Sequence, residues 1–469
     1  MCKLIFKNNI LELMNKLLTL GIMAVMASSA YSQEAVQVTR GEFWNKTGGM
    51  MALGMSPNGR YIVGSCASWE GFIYDRVTNK LVTTSSDMGS VSDETGANEF
   101  WCATDDGVAY GWDGNGGVAL GIDGSYEVFQ PLGNYFGVAP KDVTADGSIV
   151  VGFYNTSLTM NSPCYWENGE MHDLEYSTSE EAGFKINAGC VATAISNDGK
   201  VIMGYLMSRS QTQPMVLWVR QDDGTYKYVP AFKDEYEDSR DVDGNLKEYY
   251  TTRLYKLFMP ACMSGDGKTI VLYIQRVLDK VDGTSYVGPE EVALYDVEEG
   301  KVTTVLPYDS TNLLYSGETF TITGISNNGK MVGVSGYVES STPIVLDPDN
   351  YSQALTLTEA YPGQDLLEEY YDIWYDWHGL YLLTGISADG NTLCGYIEGF
   401  ANDDATTITG GMITFYIAPE WKENGVDSVN LGSESRATEY YDLSGRRVSR
   451  PERGIFIRVE DGKVSKVVK

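Results

Sequence analysis

SPNGRYIVGS, residues 56–65, recurs in outline as TADGSIVVGF (144–153), SNDGKVIMGY (196–205) and SADGNTLCGY (387–396). The unit is Ser or Thr, any residue, Asp or Asn, Gly, then a short apolar strand. It begins at Ser56, Thr104, Thr144, Ser196, Ser264, Ser326 and Ser387. The turn glycines are Gly59, Gly107, Gly147, Gly199, Gly267, Gly329 and Gly390, about 40–70 residues apart, which is the period of β-propeller blades carrying loop insertions. Asn-Gly and Asp-Gly between apolar runs are the strongest short hairpin signal, and they predict a type I′ turn with positive φ at both central residues. The preceding hydroxyl can bond turn backbone groups. Five residues after the turn a second Gly recurs, at Gly64, Gly152, Gly204 and Gly395, where a neighbouring backbone must come close. Leu272 and Val334 break that rule, and in the second unit the Gly falls one place early.

Each unit holds a second hairpin, as in SPCYWENGEMHDL (162–174), QPMVLWVRQDDGTYKYV (213–229) and EVALYDVEEGKVTTV (291–305). Two hairpins make a four-stranded blade. One blade cannot cover both of its apolar faces, so blades must stack around an axis. The expected fold is therefore all-β: a propeller over 33–422 with seven four-stranded blades, followed by a small β segment over 423–469. The last unit has no clear fourth strand after MITFYIAPEW (412–421), whereas EAVQVTRGEF (34–43) alternates like a strand and has no blade of its own. The N-terminal stretch is expected to supply the missing outer strand and close the ring.

The repeats resemble the extracellular HAF type, in which a DGxxVVG stretch precedes an apolar AFLW-like strand. Here ADGSIVVG stands with PCYW, and NDGKVIMG with PMVLW. The first unit is also similar to WD-like and TolB-type propeller repeats. These resemblances imply a propeller and carry over no catalytic residue. The tail YYDLSGRRVSRPERGIFIRVEDGKVSKVVK (440–469) reads as three short strands turning at Gly445 and Asp461-Gly462. It resembles the C-terminal sorting domain linked to type IX secretion in Bacteroidetes, although it is shorter than a full sorting domain. The resemblance implies export across an outer membrane; a structural β cap is the other reading.

Residues 1–32 read as a signal peptide. Lys16 precedes the apolar core LLTLGIMAVMA (17–27), small residues follow, and Met14 would start a complete signal. The apolar core is too short to span a bilayer, so no spanning segment is expected once it is removed. The outer-membrane surface or the medium is the expected location, with the periplasm as alternative. The chain of 469 residues carries a formal net charge of −30. That charge opposes nucleic-acid binding, which needs a basic footprint. Six cysteines follow the signal, each alone in an apolar strand, and they read as buried free thiols.

Catalytic motifs are scarce. The only histidines are His172 and His378, far apart in sequence, and no zinc, P-loop or nucleophile-elbow pattern occurs. His172 is expected to face solvent on an outer strand. Asp241, Asp243 and Asn245 have the one-three-five spacing of a calcium loop, but Gly244 and the missing glutamate break the pattern, so no cofactor or metal is assigned and calcium stays an alternative. The aromatic-rich YYDIWYDWHGLY (370–381) carries the candidate ligand-binding residues Asp372, Trp374, Tyr375 and Trp377. These could stack on sugar rings, meet a protein partner, or pack a long loop. Two functions follow: a noncatalytic exported propeller binding a glycan or extracellular protein at one face, or a carboxylate-dependent glycosidase or lyase at the channel mouth.

Overall fold

In the computed structural model, the described residues are 36–38, 50–66, 70–84, 98–114, 116–129, 137–157, 160–176, 189–207, 215–230, 249–280, 285–306, 320–335, 342–351, 354–360, 380–399, 411–417, 439–441, 455–460 and 463–468. The expected signal peptide lies outside them. Among the described residues the protein is an all-β propeller, with one four-residue helix, Leu357–Ala360, interrupting the strands.

Six blades are built from contiguous sequence, not the seven that the turns alone predict. Each is an antiparallel meander of four consecutive strands. Blade 3, for example, runs Val138–Val143, Ile149–Ser157, Met160–Glu167 and Glu170–Asp173. The seventh turn unit belongs to a composite four-stranded sheet. There Leu380–Ile386, Leu393–Gly399 and Gly411–Ile417 are joined by Val36–Val38 from the N-terminal end. Val36 pairs with Ile417 and Val38 with Phe415, antiparallel. A four-stranded blade thus forms from sequence ends nearly 400 residues apart, and no connecting loop is needed to close the circle.

The Ser/Thr-x-Asx-Gly turn joins the innermost strand of each blade to the second. Ser56 N–H donates to Tyr61 O at 2.9 Å, and Gly59 N–H donates to Ser56 O at 2.8 Å. Only the Gly has positive φ, between 69° and 94° across the seven turns, and the Asn or Asp before it does not. The expected type I′ turn is therefore replaced by a loop of four residues, or three in two units, whose tight turn ends in a left-handed Gly. The hydroxyl explains the choice of Ser or Thr. Ser56 Oγ donates to Asn58 Oδ1 at 2.7 Å and accepts from Tyr61 N–H at 3.0 Å. Ser196, Ser264 and Ser387 repeat both bonds. All seven hydroxyl residues are buried, where an unpaired hydroxyl would be costly.

A β-bulge follows the same rule in every inner strand. The residue three places before the turn Ser or Thr is skipped by the pairing: Leu53, Trp101, Lys141, Thr193, Ala261, Thr323 and Thr384. The bulge pushes a carbonyl against the second strand, and this explains the strand glycines. A Cβ on Gly64 would stand 1.8 Å from Met51 O, and one on Gly152 would stand 2.1 Å from Ala139 O. The sixth unit keeps the rule after all through Gly333, whose Cβ would stand 2.1 Å from Thr321 O. It sits one place early, like Gly111, because these two turns are one residue shorter: Ser326 N–H reaches Lys330 O and Thr104 N–H reaches Val108 O. In blade 5 Leu272 holds this position and is fully buried.

Between neighbouring blades lie apolar clusters. One joins Val151 and Tyr165 of blade 3 to Ile195, Ile202 and Trp218 of blade 4. Another joins Cys394 and Tyr416 of the composite blade to Ile62 and Phe72 of blade 1. Burying each large side chain contributes about 1.5–3 kcal/mol. Trp218 is fully buried, and its Nε1–H donates to Glu175 O at 2.7 Å. The six described cysteines form no disulfide, and five of them are buried, as expected of small hydrophobes. The chain divides into two compact units, Met1–Pro419 and Glu420–Lys469. The second contains a three-stranded antiparallel sheet of Glu439–Tyr441, Ile455–Glu460 and Lys463–Val468.

Two outcomes are expected. Deleting residues 34–43 strips the composite sheet of its outer strand and lowers the thermal midpoint sharply; an unchanged midpoint would show that closure does not rest on Val36–Val38. Gly152→Ala, facing a backbone carbonyl, costs about 1–3 kcal/mol in denaturant titrations, whereas Gly116→Ala, with nothing within 4 Å of its added Cβ, is close to neutral.

Candidate functional site

The inner strands and their turns enclose a central channel. At one mouth the seven turns bond to each other in a closed circuit. Ala388 N–H donates to Pro57 O, Asn327 N–H to Ala388 O, Asn197 N–H to Gly265 O, Ala145 N–H to Asn197 O, and Asp105 N–H to Ala145 O. Side chains complete the remaining two links: Asp266 N–H donates to Asn327 Oδ1 and Asn58 N–H to Asp105 Oδ1, each at 2.8 Å. This mouth is therefore rigid, and its polar groups are largely spent on one another. Behind it lies a cavity of 130 Å³ walled by Met55, Val143, Ile195, Met263, Ile325 and Ile386, with Cys102 and Asp142 set into the wall. Small-molecule sites usually measure about 300–1,000 Å³, and this cavity is smaller.

Asp142 is the carboxyl group of the cavity wall. Its Oδ1 accepts from Val143 N–H at 2.9 Å. Its Oδ2 accepts from Ile195 N–H of the next blade at 2.8 Å. Burial pushes its carboxyl up to about 7, against the pull of those two N–H groups. Burial, with Asp142 beside it, also raises the Cys102 thiol well above its ordinary range, so Cys102 is a protonated, inert side chain.

Farther from the turns, at the level of the bulges, Lys141 Nζ lies 3.4 Å from the centroid of the Trp101 ring and 5.9 Å from that of Phe153. Burial lowers the pKa of Lys141, opposed by the charge of Glu99. Around the ring, Thr323 Oγ1 donates to Leu383 O at 2.7 Å and Thr384 Oγ1 to Ala52 O at 2.9 Å, so these bulge hydroxyls tie one blade to the next. The second of these bonds crosses the seam between the composite blade and blade 1.

The candidate ligand residues Asp372, Trp374, Tyr375 and Trp377 lie outside the described residues, as do His378 and the calcium-like Asp241, Asp243 and Asn245. His172 is on the outer strand Glu170–Asp173, as expected. It is not simply solvent-facing: it is half-buried and stacks on Tyr165 with centroids 4.8 Å apart. Trp101, Lys141 and Asp142 were not singled out from the sequence. Aligning the repeats on the turn hydroxyl exposes them, because the bulge column reads Leu, Trp, Lys, Thr, Ala, Thr, Thr, in which one aromatic and one charge stand among small residues. The acidic residue of blade 1 with a resolved role is Asp75. Burial works to raise its carboxyl, but hydrogen bonds from Arg60, Thr78 Oγ1 and Val77 N–H hold it at about 2.

No protein-family model and no curated protein sequence matches the chain. Among solved structures, the chain is similar to TolB from Acinetobacter baumannii at 14% identity, covering 65% of this chain and 62% of that one, with a TM-score of 0.33. It is similar to an oligogalacturonate lyase from Vibrio parahaemolyticus at 10% identity, covering 79% and 91%, with a TM-score of 0.44. It is also similar to a prolyl endopeptidase at 12% identity, covering 92% of this chain and 55% of that one, with a TM-score of 0.42. Thus the chain spans less than two thirds of the length of the TolB and endopeptidase chains. At these scores the likenesses bear on neither ligand nor activity. Among the described residues, no helix is long and apolar enough to cross a membrane.

The position of Asp142 makes a pH test. Its carboxyl is raised to about 7 in the fold against about 3.9 in an unfolded chain. Its contribution to stability is therefore fully present below about pH 4 and lost as pH rises through 7. A loss on the order of 2–4 kcal/mol between pH 4 and 8 is expected from this group. Asp142→Asn should flatten that part of the stability–pH profile, measured by urea titration at each pH; an unaltered profile would assign the dependence elsewhere.

Proposed function

We propose that the chain is an exported, noncatalytic β-propeller that binds a glycan or an extracellular protein at the face opposite the Ser/Thr-x-Asx-Gly turns. One observation carries the choice of face. The turn mouth is bonded into a closed circuit, and the cavity behind it holds 130 Å³, which leaves little room for an extended ligand there. In the contiguous blades the outer strand ends, and the inner strand of the next blade begins, at the other face. Binding residues commonly sit on loops held by a rigid scaffold. In sequence, the stretch with Asp372, Trp374, Tyr375 and Trp377 lies between Ala354–Thr356 and Leu380–Ile386, the inner strand of the composite blade.

The carboxylates with resolved roles near the channel and in blade 1 support a structural use of charge. Asp142 holds two backbone N–H groups and Asp75 holds Arg60. Export rests on the N-terminal signal pattern and on the sorting-like tail, and the outer-membrane surface or the medium is the location this reading assigns.

A glycan array probed with the mature chain tests the reading. Trp374→Ala and Trp377→Ala are expected to weaken bound signals about tenfold or more, since an aromatic stacking contact contributes on the order of 1–3 kcal/mol. Wild-type signals unmoved by both variants would remove these residues from the site. Turnover of a bound polysaccharide would replace the binder by the carboxylate-dependent enzyme.

A further inference from the structure

The cavity behind the turn mouth is lined, in all seven units, by the residue just before the turn hydroxyl. Each of these residues stands opposite the second strand without bonding to it. Met55 is paired with Ile62, but the ladder bond is made one residue on, from Ser56 N–H to Tyr61 O. The other six units repeat the pattern. In a pair of this kind the N–H and C=O point away from the partner strand. Among the described residues the inner strand of each blade is an edge strand, so seven N–H and seven C=O groups are aimed at the axis. Asp142 accepts two of the N–H groups, those of Val143 and Ile195. Five are left, on Met55, Ala103, Met263, Ile325 and Ile386. They face seven carbonyls, each with two lone pairs, and the remaining acceptor capacity of the Asp142 carboxyl. The Asn197 side-chain amide adds donors and an acceptor alike. The cavity is therefore rich in acceptors and holds one acidic group. That carboxyl is acted on by burial and by its two N–H partners, whereas the ammonium of Lys141, next along the strand, sits on the Trp101 ring.

We propose that this cavity takes one compact nitrogen cation, a guanidinium or a primary ammonium, whose N–H groups reach the ring of carbonyls while its charge meets Asp142. At 130 Å³ the cavity is wider than a bare alkali ion, and acceptors facing one another across it suit a ligand that carries its donors outward. Among the described residues no three His, Cys, Asp or Glu side chains stand together as a metal site, and one carboxyl balances one positive charge. A net charge of −30 draws cations toward the protein. The cation is either a free small molecule or the end of an Arg or Lys side chain that a partner inserts through the turn mouth, where Pro57, Gly265 and Ala388 line the same cavity. This site lies at the mouth opposite the face proposed for glycan or protein binding and does not depend on that reading.

The test is calorimetric titration of the full chain, at constant ionic strength, with guanidinium chloride, methylammonium chloride, potassium chloride, N-acetylarginine methylamide and urea, the last having the shape of guanidinium without its charge. Saturable binding of one guanidinium or methylammonium per chain is expected, with none of urea. If the arginine derivative binds at least as tightly as guanidinium, the occupant is a partner's side chain; if it does not bind, the occupant is a free small cation. Asp142→Asn is expected to weaken binding about tenfold or more, since a charge-assisted contact is lost. A second readout uses the wild-type chain alone: the backbone amide resonances of Ala103, Val143, Ile195 and Ile325 are expected to move together as guanidinium is added and to stay in place with urea. Absence of saturable binding by both nitrogen cations, binding of urea or potassium as tight as theirs, unmoved amide resonances, or unchanged affinity in a folded Asp142→Asn chain would each overturn the proposal.

Discussion

The buried hydroxyl of the Ser/Thr-x-Asx-Gly turn is the constraint on which the rest depends. It braces the Asx side chain and caps the backbone of the second strand, and so sets the turn's direction. With the direction set, the residue after the hydroxyl is delivered to the axis, where its backbone bonds to the next turn. Seven such deliveries close a circuit. In a circular array each link is supported by the others, and the loss of one turn would open a ring rather than fray an end. The hydroxyls are buried because the circuit and the adjoining blades cover them, so a residue chosen for local turn chemistry becomes part of the core.

The bulge three residues earlier has the opposite effect. It takes one residue per inner strand out of the pairing, and the displaced carbonyl crowds the second strand, where every unit except that of blade 5 carries Gly. Structure and site are coupled here. Where the bulge residue is Thr, as in blade 6 and the composite blade, it staples neighbouring blades. Where it is Trp101 or Lys141, the same geometry places an aromatic ring and an ammonium in contact. Channel chemistry can vary from blade to blade without disturbing the fold, because the bulge residue is outside the ladder that holds the sheet.

The propeller was legible because its signals are local and repeated. The turn Gly, the strand Gly and the paired hairpins each arise within one unit, and their spacing alone implies blades. Val36–Val38 was also legible, since an alternating strand with no hairpin partner needs an edge to occupy. Two local details were misread. The turn has one left-handed residue rather than two, because the hydroxyl bond sets the Asx conformation. The apparent gap at Val334 is a one-residue register change that Gly333 absorbs. The channel residues were not legible as a site: Trp101, Lys141 and Asp142 lie about 40 residues apart or adjacent on a strand, with no motif spacing.

By itself, the sequence determined an all-β ring, the positions of its turns and the strand that closes it, because hairpin geometry and apolar alternation act over a few residues. Only the tertiary structure decided that the turns bond into a circuit, that Asp142 reaches across to Ile195, and that Lys141 rests on Trp101. These depend on the angle at which one blade meets the next. That angle is set by packing between whole sheets and leaves no periodic trace in the chain.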